Sequence, residues 1–139
     1  MGELEEKILR EMQRGFHCSQ VMMRLSMEMR GIDDPFTIRA LGALGGGMAS
    51  QRACGTLTGG ACVLSSYFPR GEGEPEPDGY KELVREFVNW FEGENGSLEC
   101  GDLVENDRMT RLAFCPGLMA KSFEKIVEML EDHNIDPSR

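Results

Sequence analysis

From Leu57 to Tyr67 the chain carries no charged residue. A continuous apolar stretch of this kind predicts a helix buried on all sides, around which other elements must pack. Ahead of it lie a glycine-rich loop, Gly45-Gly46-Gly47-Met48, and then Ala53-Cys54-Gly55-Thr56. Glycine tolerates positive φ and close backbone approach. Cys54 therefore stands where a loop turns into a buried helix. Unpaired N–H groups and the helix dipole favour an anion there, a thiolate included.

The same placement is expected for three further cysteines. Cys18 is followed by Ser19, a capping residue, and an amphipathic run. Cys100 is followed by Gly101-Asp102-Leu103, and Cys115 by Pro116, which is favoured in a first helical turn. Four helix starts that converge would bring four sulfurs into one site.

Around the buried segment the periodicity predicts helices throughout. Leu4, Ile8, Leu9 and Met12 mark one apolar face over Glu3 to Gln13; Val21, Met22, Leu25 and Met29 mark a second helix, stopped at Gly31. Asp34-Pro35 is a start signal for a third, running to about Leu44. Tyr80 to Phe91 gives another helix, Ser97 to Leu103 leads through Cys100 into a short one, and Pro116 is expected to open the last. Asn106 to Phe114 has no clear reading, and the tail from His133 is expected to fray. No stretch alternates as a strand would. The expectation is an all-α bundle of five to six helices, one domain over residues 1–139, with a glycine-rich loop before a buried central helix. Arg70 to Gly79, rich in Gly, Glu and Pro, reads as a flexible linker within it.

With 139 residues the chain can bury a core without disulfide staples. Its net charge of −9 argues against nucleic acid and anionic membranes as partners. The acidity is uneven: Glu72 to Asp107 holds twelve acidic residues against only Lys81 and Arg85. A solvated acidic face or a surface for a basic partner would account for it. No apolar run reaches the length of a membrane span, and the charged, amphipathic start is unlike a secretory signal, so the expected compartment is the cytoplasm. There, cysteines serve more as metal ligands or redox groups than as disulfides. Ten methionines read as flexible core filling. The small residues Ala40, Gly42 and Ala43 suggest close helix contact, and glycine-rich helix contacts with abundant methionine would also suit a homodimer.

No Cys-x-x-Cys pair is present, which argues against a zinc ribbon and a thioredoxin-type motif. Four thiolates gathered by the fold would match either zinc or an iron–sulfur cluster in ligand number. Glycines beside Cys54 and Cys100 tilt the reading toward the cluster. Its sulfides need room and N–H donors, which Gly55 and Gly101 would provide. Five separately buried cysteines with no joint role is the plain alternative. Cys62, within the apolar run, reads as a packing residue. His17 is a ligand, a base or a capping residue. Arg52 is placed to lower the pKa of Cys54, and Ser50 and Gln51 to donate hydrogen bonds.

Cys18-Ser19-Gln20, the Gly45-Gly46-Gly47-Met48 loop, Cys54-Gly55-Thr56-Leu57-Thr58-Gly59, the lone Cys100 and the lone Cys115 together resemble the C-GCAxxG-C-C family of redox-active proteins. The resemblance spans nearly the whole chain, with Thr56 where the family has alanine. It implies that Cys18, Cys54, Cys100 and Cys115 are the family's four cysteines. It also implies a redox role, with a redox protein or a transporter-associated protein as partner. The chain is similar, too, to the non-haem part of split-Soret cytochromes, where cysteines hold an iron–sulfur centre. Without Cys-x-x-Cys-His, covalent haem is not expected.

Three functions follow. The first is electron transfer or redox sensing through a cluster on Cys18, Cys54, Cys100 and Cys115. The second is metal-free thiol–disulfide chemistry, with Cys54 attacking and Cys18 or Cys115 resolving. The third is a binding module for zinc, another metal or a small anion. No nucleophile–base–acid pattern suggests a hydrolase.

Overall fold

Gly59 and Gly60, at the middle of the uncharged run, set how closely the helices pack. A Cβ at Gly59 would lie 2.7 Å from the Ser19 Cα and 2.8 Å from its carbonyl oxygen; one at Gly60 would lie 2.7 Å from the Phe87 ring and 3.0 Å from Ile126. At Gly59 the neighbour is backbone and only hydrogen fits; at Gly60 the Phe87 ring and the Ile126 methyl would have to shift. The computed structural model describes residues 2–139. Among them are seven α-helices: α1 (Glu3–Gln13), α2 (Cys18–Arg30), α3 (Pro35–Leu41), α4 (Gly55–Ser65), α5 (Tyr80–Asn95), α6 (Cys100–Leu103) and α7 (Arg108–Asp132). The central helix is α4, touched by α2 on one side and by α5 and α7 on another. A 3-10 turn, Gly42–Leu44, extends α3. No strand forms among the described residues, and no helix there is long and apolar enough to cross a membrane.

The class is all-α, as expected, but five to six helices is an undercount. The turn after Cys100 closes as its own four-residue helix. The unread segment Asn106 to Phe114 becomes mostly the first two turns of α7. Asp107 caps that helix by accepting from the Thr110 N–H at 2.9 Å and hydroxyl at 2.6 Å. Pro116 therefore does not open the last helix but lies inside it. A proline there removes one hydrogen bond, the one that would reach the Leu112 carbonyl. Asp34 caps α3 in the same way as Asp107, through Thr37, with Pro35 in the first turn.

The core is aliphatic and methionine-rich. Val21, Met22, Val63, Leu64, Phe87, Phe91, Met119, Ile126 and Leu130 are fully enclosed, and Met23, Met27 and Met129 are buried beside them. Met therefore fills the core, as its composition suggested. Residues 70–79 are nearly all exposed and form a turn in which the Gly71 N–H donates to the Glu74 carboxylate at 3.0 Å.

The C-terminal tail does not fray. Ile135 packs against the core. The Tyr67 hydroxyl donates to the Pro137 carbonyl, with the Ser26 hydroxyl 3.2 Å away. The Arg30 guanidinium lies over the Tyr67 ring and holds the Arg139 carbonyl at 2.7 Å. Because Ser26 is wholly buried, Tyr67→Phe leaves its hydroxyl without this partner. The expected loss is about 1–2 kcal/mol, read as a lower urea midpoint at unchanged m-value. An unchanged midpoint would mean that the bonds of the Tyr67 hydroxyl to Ser26 and to the tail contribute nothing to stability.

Candidate functional site

Four cysteines from four helices line one cavity of about 320 Å³: Cys18, Cys54, Cys100 and Cys115. Cys18 is the first residue of α2, Cys54 the N-cap of α4, and Cys100 the first residue of α6. Cys115 is the exception to the expected helix starts. It sits in the body of α7, one residue before Pro116, because the Asp107 cap begins that helix two turns earlier. It shares a face with Arg111, four residues back, which also lines the cavity.

Two backbone devices bring the sulfurs in. The first is a single antiparallel bridge between Ala53 and Glu99. In it the Cys54 N–H donates to the Leu98 carbonyl at 2.8 Å, and the Cys100 N–H to the Arg52 carbonyl at 2.7 Å. This ties the entrances of α4 and α6 side by side. The second is a left-handed turn. Gly46, Gly47, Met48, Ala49 and Gln51 have φ of 62°, 63°, 57°, 54° and 57°. The Arg52 N–H closes the turn on the Gly47 carbonyl at 3.1 Å. For residues with a Cβ this conformation costs about 1–2 kcal/mol each, and strain of this kind gathers at functional sites. The Ser50 hydroxyl braces the turn by donating to the Met48 carbonyl at 2.9 Å.

Gly55 has a specific reason to be glycine. A Cβ there would sit 2.5 Å from the Cys18 sulfur and 3.0 Å from the Leu44 carbonyl oxygen. Gly101 meets Gln51 instead, 3.3 Å from its Cβ. The N–H groups that act on the Cys18 and Cys54 sulfurs come from other residues. Those of Gly46 and Ser19 favour the thiolate of Cys18, and those of Thr56 and Leu57 favour that of Cys54. Ser19 is not the cap of α2: His17 takes that position, and the Ser19 hydroxyl donates across to the Leu41 carbonyl at 2.7 Å. Gln20 accepts from the His17 N–H at 2.9 Å and donates to the Ile38 carbonyl at 3.0 Å. His17 lines the cavity.

Their helix N-termini do not make Cys18 and Cys54 acidic. Burial pushes Cys54 up to about 11, with repulsion from Cys18 adding to it. Burial pushes Cys115 up to about 12, with Cys18, Cys54 and Cys100 adding to it and Arg111 opposing. Burial raises Cys18 as well. For Cys18 and Cys54, which do stand at helix starts, desolvation outweighs the dipole. In the metal-free protein at pH 8, Cys54 is expected to react with iodoacetamide about a hundredfold more slowly than an unhindered cysteine. Peptide mass spectrometry over a time course reads this; an ordinary rate would place the sulfur in water.

Arg52, expected to activate Cys54, is exposed and is not among the groups acting on that thiol. The cation at the site is Arg111, whose Nη2 lies 3.9 Å from the Cys100 sulfur. Its Nε and the Thr56 hydroxyl are buried without a hydrogen-bond partner. The Thr56 hydroxyl favours the thiolates of Cys18 and Cys54 without closing a full bond to either. Sequence reading missed Arg111. Its signal was the i, i+4 spacing to Cys115, hidden by a helix start placed too late. Cys62 does not line the cavity; it packs against the core, half-buried, with its pKa raised by burial.

Among the described residues no three His, Cys, Asp or Glu side chains stand close enough to hold one metal ion. A cluster sets its thiolates farther apart than a single ion does, because irons and sulfides stand between them. Four thiols lining one cavity, with the Arg111 Nε and the Thr56 hydroxyl buried and unpartnered beside them, are the donor set the chain would offer such a group.

A family model described as "Putative redox-active protein (C_GCAxxG_C_C)" matches residues 16–129. No curated protein and no solved structure matches the chain.

Proposed function

The chain belongs to the C_GCAxxG_C_C family of redox-active proteins, and from that premise we propose that Cys18, Cys54, Cys100 and Cys115 hold an iron–sulfur cluster used for electron transfer or redox sensing. The observation that carries the reading is the cavity the four thiols line together. Burial and mutual repulsion favour the neutral thiols of Cys18, Cys54 and Cys115 in the metal-free protein. Their joint deprotonation needs a cationic core to compensate it. When bound, the cluster would supply one-electron chemistry without proton transfer to a side chain.

The residues around it have separate tasks. Gly55 makes room for the Cys18 sulfur, the Ala53–Glu99 bridge fixes Cys54 beside Cys100, and the left-handed turn aims the Gly46 N–H at Cys18. N–H groups aimed at ligand sulfurs raise the potential of a cluster. Leu103, Val104, Leu112 and Leu118 also line the cavity and lower the dielectric on their side of it. The partner we propose is a redox protein or a transporter-associated component that exchanges the electron.

Metal-free thiol–disulfide exchange is the second reading. The effect of Cys18 on the Cys54 thiol favours it, since it places the two sulfurs near each other. The raised pKa values weigh against it, because the thiolate is the attacking species.

Anaerobic expression with cluster-assembly machinery tests the choice. The expected product is brown, with iron and acid-labile sulfide in near-equal amounts. Cys54→Ser and Cys100→Ser should each lose most of both. A colourless protein with one tightly bound zinc, or with one preferred disulfide after mild peroxide, would overturn the cluster.

A further inference from the structure

Arg111 is one turn into α7, and its guanidinium reaches the cavity where the sulfurs are. Four observations meet on it. Nη2 lies 3.9 Å from the Cys100 sulfur. Nε is buried with no hydrogen-bond partner. Nη1 lies against Gly46, 3.2 Å from where a Cβ would be, so the left-handed glycine leaves just the space the guanidinium fills. Finally, Arg111 shares a face of α7 with Cys115, four residues on, and both line the same cavity.

The chain has many carboxylates to offer an arginine, with a net charge of −9. Other arginines take them: Arg24 forms a two-bond fork with Glu11 at 3.1 Å, and Arg14 reaches the same carboxylate. Among the described residues, Arg111 forms no ion pair with a carboxylate. A half-buried cation with a spare N–H and a sulfur neighbour is placed for a negatively charged centre.

We infer that Arg111 is the charge that sets the midpoint potential of the four-cysteine centre. The inference rests on the cluster reading above. Adding one electron makes the centre more negative by one charge, with no bond made or broken. A fixed positive charge beside the Cys100 sulfur stabilises that added charge most where water is excluded. It therefore favours the reduced state, and removing it must lower the potential. The neighbouring Arg108 and Asp107 also line the cavity. Both are exposed, so solvent screens them more than it screens Arg111.

The test is a dithionite titration of the reconstituted protein, followed by visible absorbance, on the wild type, Arg111→Gln, Arg111→Lys and Arg52→Gln. Arg111→Gln should change the reduction equilibrium constant at least tenfold toward the oxidised state, which is 59 mV for a one-electron couple. Arg111→Lys should recover most of that shift. Arg52→Gln, which removes an exposed cation two residues from Cys54, should titrate as the wild type does. Iron and sulfide content is measured on each sample beforehand. A wild type that carries no cluster would sink the cluster reading, and this inference with it. A wild type and Arg111→Gln with equal iron and sulfide and potentials within twofold in equilibrium constant would sink this inference alone. If Arg111→Gln fails to fold, Arg111→Lys decides: an equilibrium constant within about twofold of the wild type supports a role of charge, and one shifted about tenfold or more would mean that geometry, not charge, is what Arg111 supplies.

Discussion

Gly59→Ala should lower stability by roughly 2–3 kcal/mol, although alanine is the better helix former. In an open helix the same change would gain about 1 kcal/mol. Here the added methyl meets backbone, not a side chain that can rotate: the Ser19 Cα at 2.7 Å and its carbonyl oxygen at 2.8 Å. Relieving the clash means moving α2 off α4, along the most extensive helix contact in the molecule. Overpacking of this kind costs about 1–3 kcal/mol, and more where the neighbour is rigid. Tm should fall by roughly 5–10 °C. Gly93→Ala is the control. It lies inside α5 with nothing within 4 Å of a Cβ, and it should be stabilising by up to about 1 kcal/mol. Equal effects from the two substitutions would mean that α2 and α4 do not approach as closely as described.

Gly55→Ala should separate the fold from the site. The new Cβ would stand 2.5 Å from the Cys18 sulfur, and a sulfur on a single rotatable bond yields sooner than a backbone does. Cys18 is then expected to turn out of the cavity. Helix content by circular dichroism should stay near that of the wild type, because alanine suits the first turn of α4 better than glycine. Iron and sulfide after anaerobic reconstitution should fall below about half. Cys18→Ser gives the reference for losing that ligand. A Gly55→Ala protein that reconstitutes fully would show that Cys18 does not need its present position, and would remove one of the four supports for the cluster.

These two positions also show what was readable beforehand. That α4 is buried was legible, because an uncharged run with paired glycines can be solvated nowhere. That Gly59 faces Ser19 while Gly60 faces Phe87 was not, since glycine carries no pattern to say which neighbour needs its missing side chain. Helix starts were read well where a capping side chain and a proline coincide, as at Asp34-Pro35. They were misread at Pro116, because a proline is tolerated inside a helix when an earlier cap, Asp107 with Thr110, has already set the start. That error hid Arg111. Arg52 looked like the activating cation because it is near Cys54 in sequence, yet its side chain is exposed.

The electrostatics were the least legible. Each cysteine taken alone at a helix start should be acidified by the dipole. Burial pushes three of them the other way: Cys18 upward, Cys54 to about 11 and Cys115 to about 12. Desolvation depends on everything packed around a group, and that is a property no local stretch contains. Thr56 is similar. As a residue in the motif it is a small departure; in the structure its buried hydroxyl acts on both Cys18 and Cys54.

The sequence by itself determined the all-α class, the burial of the central helix, the caps at Asp34 and Gly31, and the family to which the chain belongs. Each of these rests on periodicity, charge or spacing that neighbouring residues carry among themselves. Only the tertiary structure decided which sulfurs share a cavity, which cation attends them and why Gly55 has no side chain. Those depend on distances between residues far apart in the chain, and such distances exist only once α2, α4, α6 and α7 have packed.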